Sequence, residues 1–594
     1  MKVLLTGINA KYIHSNLAIR YLSNSIKSFV ENIQIKEFTI NHSQEYIMNE
    51  IYKIQPDVVC FSCYIWNIQI VHQISRLLKK VMPQITIVLG GPEVSFETVK
   101  VMEINDAIDI VVIGEGEITL SKLIYALNND EDYSSIRSLA FRARGRVFIN
   151  EECISPIEMQ ELIFPYKNEV LSQDKIIYYE SSRGCPFNCQ YCLSSTFQGV
   201  RFRPIEMVKE ELKYLIDQEV RQVKFVDRTF NAKKQYAIDV LQFILKHSKG
   251  KTNFHFEITA DLLDEDMLDL LKKAPAGLFQ FEIGIQSTNS ETLQAIQRDK
   301  DFAKIRDVVT KISSGKNIHQ HLDLIVGLPK EDYFSFRKSF DDVFALRPEK
   351  LQVGFLKLLK GSGIRKKALE YNYIYDDRPP YEVLENDAIS YGEIMVLKGI
   401  EEMVETFWNT RMFSSSIEVV ITNYYSSPFR FFEELWFYWE EEGYHHQYHS
   451  RNKLYQILLN FYLNKSFENN EVFKEVLKFD FLKYNKTSTL PDFFSSCKDI
   501  KFKEKCHRFL QQPNNLQRYL PQYIDLPAKQ IIKKVHFEQF QYNMLELENN
   551  PSALKHIEKC KVVLLYDYDI ESKAIEHCKY YLLKTIEFSE EPII

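Results

Sequence analysis

The chain has 594 residues, 45% hydrophobic and 26% charged, a balance that excludes a mainly disordered, collagen-like or low-complexity polymer. At roughly 150 residues per domain this length predicts about three to four domains. The formal charge is −7, from 74 Lys and Arg against 81 Asp and Glu, which argues against a bulk nucleic-acid binder. Ten cysteines are too sparse for a disulfide scaffold. The opening apolar run Val3-Leu4-Leu5 is too short for a signal peptide, and runs such as Ile110–Ile113 are strand-length, not membrane-length. A reduced, cytoplasmic protein is expected, with no membrane partner and nucleic acid unlikely as one.

The first segment alternates apolar runs with helical spacing. Lys2–Thr6, Ile33–Ile40, Pro56–Ser62, Ile85–Leu89 and Ile110–Ile113 read as strands. Strands buried on both faces and alternating with helices predict a doubly wound parallel sheet. Ligands sit beyond the carboxyl ends of such strands, here the loops Asn9–Asn16, Ser62–Trp66, Gly90–Glu93 and Gly114–Glu117. No GxGxxG follows the first strand, which disfavours a dinucleotide.

Together Asn9-Ala-Lys-Tyr-Ile-His14, Leu89-Gly-Gly-Pro92 and Gly114-Glu-Gly-Glu117 resemble the Rossmann-like cobalamin-binding domain that precedes many radical S-adenosylmethionine enzymes. The resemblance implies cobalamin contacts at Asn9, His14, Ser62, Gly90, Gly91, Gly114 and Glu115. Many such domains carry a DxHxxG loop whose histidine ligates cobalt from below. The stretch Tyr12-Ile-His-Ser-Asn-Leu17 lacks the aspartate and the glycine. Cobalamin is therefore expected without that ligation, and His14 as a loop or pocket residue. The stretch Ser138–Asn150 reads as a hairpin turning at Arg144-Gly145, within a connector between domains.

The strongest signal is Gly184-Cys185-Pro-Phe-Asn-Cys189-Gln-Tyr191-Cys192. Three thiolates at CxxxCxxC spacing suit an iron–sulfur cluster, and leave open the fourth position of a centre that normally takes four. Zinc would want a further ligand nearby, and the next cysteine is Cys497. The loop, with Tyr191 before the third cysteine, resembles the radical S-adenosylmethionine superfamily. In that family the open iron of a 4Fe–4S cluster chelates S-adenosylmethionine, and one electron, delivered by a donor such as flavodoxin or ferredoxin, cleaves it to methionine and a 5′-deoxyadenosyl radical.

Strand–helix units follow, with strands at Lys175–Tyr179, Val223–Asp227, Phe254–Ala260, Phe281–Ser287, Leu322–Pro329 and Leu351–Leu359. They predict a partial (β/α) barrel of TIM type with its chemistry at the strand carboxyl ends. By resemblance, the turn from Asp227 to Asn231 contacts the methionyl amine. Glu282, Gln286 and Ser287 line the methionyl and ribose pocket, and Gly327 to Pro329 lie against adenine. Glu257 and Glu282, as carboxylates on apolar strands, need hydrogen-bond partners, and the resemblance counts Glu257 and Tyr191 among the cofactor contacts as well. His319 and His321 are expected as core or rim residues.

From about Pro380 the strand rhythm gives way to helical spacing at Ile389–Trp408 and Leu454–Phe461. This region holds much of the 34 Tyr and 41 Phe, read as a packed helical core, with an aromatic substrate cradle as the sharper alternative. His445 and His449 are placed on one side of a helix, a weak metal signal without HExxH. Val562–Tyr566 reads as a late strand, isolated or paired locally.

The organisation read is a cobalamin domain (1–130), a connector (131–170), the partial barrel (171–365) and a helical domain (366–594). The whole chain resembles a bacterial group joining these parts. The resemblance implies a cobalamin-dependent radical enzyme, foremost a methyltransferase acting on an unactivated carbon of a small molecule or peptide. A radical enzyme that rearranges, cyclises or oxidises without methyl transfer is the alternative. A tRNA methylthiotransferase would carry three more cysteines upstream, and Cys60, Cys63 and Cys153 are poorly placed for that. A cobalamin-carrying non-enzyme would not need the cysteine loop.

Overall fold

The computed structural model describes all residues except 152–155, 168, 197–198, 299, 488, 495–497, 499, 570–577 and 584–594. Cys153, Cys497 and the acidic tail at 587–591 lie outside the described residues. The chain divides into two units, the first comprising Met1–Phe336 with Gly354–Tyr391, the second Arg337–Val353 with Gly392–Ile594.

The first sheet is built from β1 (Lys2–Asn9), β2 (Asn32–Thr39), β3 (Val58–Ser62), β4 (Thr86–Gly90), β5 (Ile110–Val112), β6 (Leu139–Ala143) and β7 (Arg146–Ile149), in the order β2-β1-β3-β4-β5-β6-β7. The first five pair in parallel. The apolar runs of β1, β3, β4 and β5 are buried because helices cover both faces, while β2, at the sheet edge, is half-buried over most of its length. Helix Leu17–Ile26 begins where the Asn16 side chain accepts the Ile19 N–H, and buries Ile19 and Ile26. The hairpin expected in the connector instead pairs antiparallel with β5 and extends this sheet. Its turn forms at Arg144-Gly145, both at positive φ. A sequence shows that two strands form a hairpin, but not which edge receives it.

The second sheet contains β8 (Ile176–Tyr179), β11 (Gln222–Phe225), β12 (Asn253–Ile258), β13 (Phe279–Gln286), β14 (His319–Val326) and β15 (Lys350–Phe355), in the order β15-β14-β13-β12-β11-β8. The pairs from β8 through β14 are parallel, as the expected barrel requires. Burial alternates along β13 and β14. Phe279, Phe281, Ile283, Leu322 and Leu324 face the core, while Gln280, Glu282, His319, His321 and Asp323 share the more accessible face. A separate antiparallel hairpin, β9 (Ser182–Cys185) with β10 (Gly199–Phe202), carries the first cysteine. The segment before β8 is anchored by buried Arg203, which donates to the carbonyls of Met159 (2.7 Å) and Leu162 (2.6 Å) and pairs with Glu211.

The second unit is mainly helical. Its aromatic residues form its core, with Phe429, Phe431, Phe432, Tyr455, Tyr462 and Phe473 all essentially buried and Tyr462 stacked on Phe473 at 3.8 Å. Val562–Asp567 is the middle strand of a three-stranded antiparallel sheet with Val535–Phe540 and Lys579–Leu583. His445 and His449 do not share a helix. Tyr444–His446 form one 3-10 turn, and His449 Nε2 lies 2.8 Å from the Tyr444 carbonyl. Gly443, at positive φ, separates the preceding helix from this turn.

The most demanding buried charge in this unit is Asp480 on helix Asn470–Tyr484. It accepts from the N–H (2.7 Å) and hydroxyl (2.8 Å) of Ser416 at the start of helix Ser414–Tyr424, and pairs with Lys483 at 3.1 Å. Asp480→Ala strands these donors and the ammonium. It is expected to lose about 3–5 kcal/mol in urea unfolding, with Asp480→Asn losing less.

Candidate functional site

The cysteine loop is held by backbone geometry first. Gly184 has φ of 105°, and a Cβ there would meet the Gly199 carbonyl oxygen at 2.2 Å, so only glycine lets β9 and β10 close. The loop then turns, Cys192 N–H donating to the Cys189 carbonyl (3.1 Å), and is gripped from outside where Gln190 N–H donates to the Ile296 carbonyl (2.9 Å). The Asn188 and Gln190 side-chain amides both donate to Gln297 Oε1.

All three thiols are free and each has a hydrogen-bonding neighbour. Thr229 Oγ1 lies 3.7 Å from Cys185, Arg298 Nη1 donates to Cys189 Sγ at 3.4 Å, and Ser194 N–H to Cys192 Sγ at 3.4 Å. Burial pushes the Tyr191 phenol up, and its contact with the Cys189 sulfur adds to this. Among the described residues no three His, Cys, Asp or Glu side chains are already gathered as metal ligands, so the thiols share a loop without converging on a point. The donor set nevertheless fits an iron–sulfur cluster, with three soft thiols on one loop, two of whose sulfurs, Cys189 and Cys192, are already offered a hydrogen bond. The buried Arg298 Nε has no partner, a donor for which an added acceptor would compensate.

The expected S-adenosylmethionine residues divide by task. Asp227 is fully buried and accepts from the hydroxyl (2.6 Å) and N–H of Ser182 and from Ser181. Burial pushes its carboxyl up to about 7, against the pull of the Ser182 bond. Asn231 closes a two-way amide bond with Thr259, donating to its carbonyl (2.9 Å) and accepting its N–H (3.0 Å). Both are therefore anchors of strand ends.

Glu282 lies 3.0 Å from Lys224 Nζ and 3.1 Å from His255 Nε2. Burial raises its pKa, but His255 and Lys224 hold it down at about 2. Beside it in register, Glu257 has no hydrogen bond or ion pair among the described residues, and burial raises its pKa while Arg228 opposes this. Gln286 sits at φ of 75° with a buried Oε1 that has no partner, a strained polar group beside Gly284, where a Cβ would stand 2.3 Å from its amide nitrogen. Ser287 donates to Glu331 (2.5 Å). Gly327 takes positive φ, and its carbonyl accepts from Tyr373 (2.9 Å) and Asn386 (3.1 Å).

On the first sheet, Asn9 donates to the His14 carbonyl (3.1 Å) and to Glu37 (3.0 Å), while Asn16 donates to Ser62 Oγ (2.8 Å). His14 Nδ1 lies 2.7 Å from the Tyr178 hydroxyl on β8, and burial, then Lys11, lowers its pKa. Gly90 continues the ladder and accepts the Cys63 N–H (2.7 Å). Gly91, at φ of 107°, lies against the Cys63 backbone. Gly114 N–H donates to Ser95 (3.0 Å). Glu115 pairs with Arg183 (3.2 Å) and with Arg201.

The carboxyl-end loops of the first sheet thus meet the cysteine hairpin and its surroundings, where Glu115 and Glu117 of an expected ligand loop pair with Arg183, which the sequence did not single out. Arg183, two residues before Cys185, also pairs with Glu117 (2.9 Å) and Glu180 (2.8 Å). Lys360 pairs with Glu93 (2.9 Å), whose carboxylate also accepts from Tyr381, and Arg365 reaches Glu97 (3.4 Å). Ile364 N–H donates to the Gln190 carbonyl (2.8 Å), and Gly363 leaves room for the Gln190 side chain, whose Oε1 a Cβ would meet at 2.1 Å. The Lys360-Gly-Ser-Gly363 turn was the available signal, since two glycines in four residues mark a close approach.

Gly91→Ala is expected to cost about 2–3 kcal/mol in urea unfolding, because its Cβ would stand 2.6 Å from the Cys63 carbonyl oxygen. Gly114→Ala meets nothing within 4 Å and should cost only about 1 kcal/mol of backbone strain. Equal losses would contradict this geometry.

Residues 3–124 match the B12 binding domain, residues 179–343 the Radical SAM superfamily, and residues 369–566 a protein family of unknown function, DUF4080. The chain is 28% identical over 293 residues to an uncharacterised methyltransferase of Pyrococcus horikoshii, covering 47% of this chain and 62% of the relative. It is 24% identical over 310 residues to the cobalamin-dependent radical SAM methyltransferase TokK of Streptomyces tokunonensis, covering 48% of this chain and 44% of that one. The chain therefore spans roughly half of the curated relatives it matches. The radical S-adenosylmethionine methyltransferase TsrM of Kitasatospora setae, solved with cobalamin and a [4Fe-4S] cluster bound, shares the fold with a TM-score of 0.55 at 15% identity, covering 64% of this chain and 79% of that chain. The chain carries a B12-binding domain and a radical S-adenosylmethionine domain, followed by the DUF4080 domain.

Proposed function

We propose that the protein is a cobalamin-dependent radical S-adenosylmethionine enzyme that methylates an unactivated carbon of a small molecule or peptide. The observation that carries this reading is the meeting of the first sheet's ligand-side loops with the three-cysteine hairpin through Arg183, Glu115 and Glu117. When bound, the cluster with S-adenosylmethionine supplies a hydrogen-abstracting radical, and cobalamin supplies the methyl group. Cys185, Cys189 and Cys192 hold the cluster. The unpartnered Gln286 Oε1 and Glu257 are the groups available to orient a ligand at the strand ends. Asp227 and Asn231 keep those ends in place. Glu282, ionised and tied to Lys224 and His255, makes the accessible face of the second sheet polar. Gly90, Gly91 and Gly114 let a large ligand approach the first sheet's backbone.

Electrons come from a flavodoxin- or ferredoxin-class donor in a reducing, cytoplasmic setting, which the free thiols suit. No described helix is long and apolar enough to cross a membrane. The four regions read from the sequence, 1–130, 131–170, 171–365 and 366–594, are proposed as the functional division.

The test is anaerobic reconstitution with iron, sulfide and hydroxocobalamin, followed by addition of S-adenosylmethionine and reductant. The expected result is one cluster and one cobalamin per chain, 5′-deoxyadenosine formation that Cys189→Ala abolishes, and a product heavier by one methyl group. Cobalamin and 5′-deoxyadenosine with a product lacking that mass would establish the rearranging, cyclising or oxidising alternative. Iron binding without cobalamin would overturn the reading.

A further inference from the structure

Resting on the assignment of the cysteine loop to a cluster, we propose that Arg298 is a positioning residue whose hydrogen bond to the Cys189 sulfur favours the one-electron-reduced cluster. Nothing in the cysteine motif points to it, because it lies 109 residues away in sequence. The same turn that grips the loop carries it. Ile296 accepts the Gln190 N–H (2.9 Å), and the Arg298 N–H returns to the Leu293 carbonyl (2.8 Å).

The guanidinium is oriented at two points. Nη2 donates to the Gly284 carbonyl, and Nη1 to Cys189 Sγ at 3.4 Å. Gly284 makes the room, since a Cβ there would stand 3.3 Å from Nη2. Nε is buried without a partner, so a donor remains for an acceptor arriving beside Cys189.

The three sulfurs are not treated alike. Ser194 N–H offers Cys192 a neutral donor, and Cys185 meets only the neutral Thr229 hydroxyl, which itself donates to the Arg228 carbonyl, whereas Cys189 receives a cation that stays charged at any working pH. Lys300, another cation near the loop, lies 4.0 Å from the Phe187 ring centre but is paired with Asp261 at 2.9 Å. A charge-assisted hydrogen bond is about twice as strong as a neutral one. Hydrogen bonds to cluster sulfurs and net charge set cluster potential. Reduction adds one electron, taken from the flavodoxin- or ferredoxin-class donor, with no bond made or broken and no proton taken from Arg298. The added negative charge is what the guanidinium stabilises.

The experiment is a redox titration of the reconstituted cluster, followed by paramagnetic resonance, without cobalamin or substrate. Arg298→Gln is expected to make the cluster about tenfold harder to reduce, a shift of about 59 mV to lower potential for one electron. Arg298→Lys should shift it the same way by less. A folded Arg298→Gln protein that takes up no cluster while Arg298→Lys does would also support the role of the charge. Wild-type potential in both variants would overturn the proposal, as would loss of the cluster from both, which marks a structural role. Failure of the wild-type chain to take up a cluster would instead refute the reading of the loop.

Discussion

The arrangement depends on the partly buried Arg183 guanidinium and the three carboxylates around it. Glu115 and Glu117 come from the loop after β5, Glu180 precedes β9, and Arg183 lies two residues before the first cysteine. Like carboxylates crowded at a partly buried seam repel unless a cation sits among them, and guanidinium is suited because its fork serves several acceptors at once. Removing one partner from such a group leaves uncompensated charge, which costs more than the pair gains. The first sheet's ligand loops therefore stay with the cysteine hairpin.

The same logic recurs around the seam with different parts. Lys360 and Tyr381 hold Glu93, and Arg365 holds Glu97, on the loop that follows β4. Arg20 joins Glu37 to Glu169, and Ser15 and His14 reach β8. Every loop so fixed follows a first-sheet strand or lies near its carboxyl end, where a doubly wound sheet binds its ligand. Two sites that must exchange a group gain from being held in fixed geometry, since orientation paid for by the fold is not paid for at reaction.

How much of this the sequence shows follows from the range of each signal. The cysteine loop and both parallel sheets are legible because the signals are local: spacing within eight residues, and apolar runs of strand length. Arg183, Lys360 and Arg298 are not legible as partners since, apart from the local Arg183–Glu180 pair, their ion pairs and sulfur contact span tens to hundreds of residues and a single sequence does not show which charges meet. The resemblance places Asp227 and Asn231 at a cofactor, while their hydrogen bonds to Ser181, Ser182 and Thr259 also anchor the strand ends, a task no local sequence signal shows. The Tyr and Phe excess was legible as packing, and the buried rings of the second unit fulfil that expectation.

The central claim is that the cobalamin and cluster sites belong to one fixed body, joined at Arg183. It is tested most directly by pulsed dipolar paramagnetic resonance on the full chain loaded with cob(II)alamin and reduced cluster. The account predicts a single, narrow distribution of distances between the two spins, and a broadened one in Arg183→Gln. Two spins with no mutual coupling in the wild-type chain, each behaving as in singly loaded protein, would contradict it.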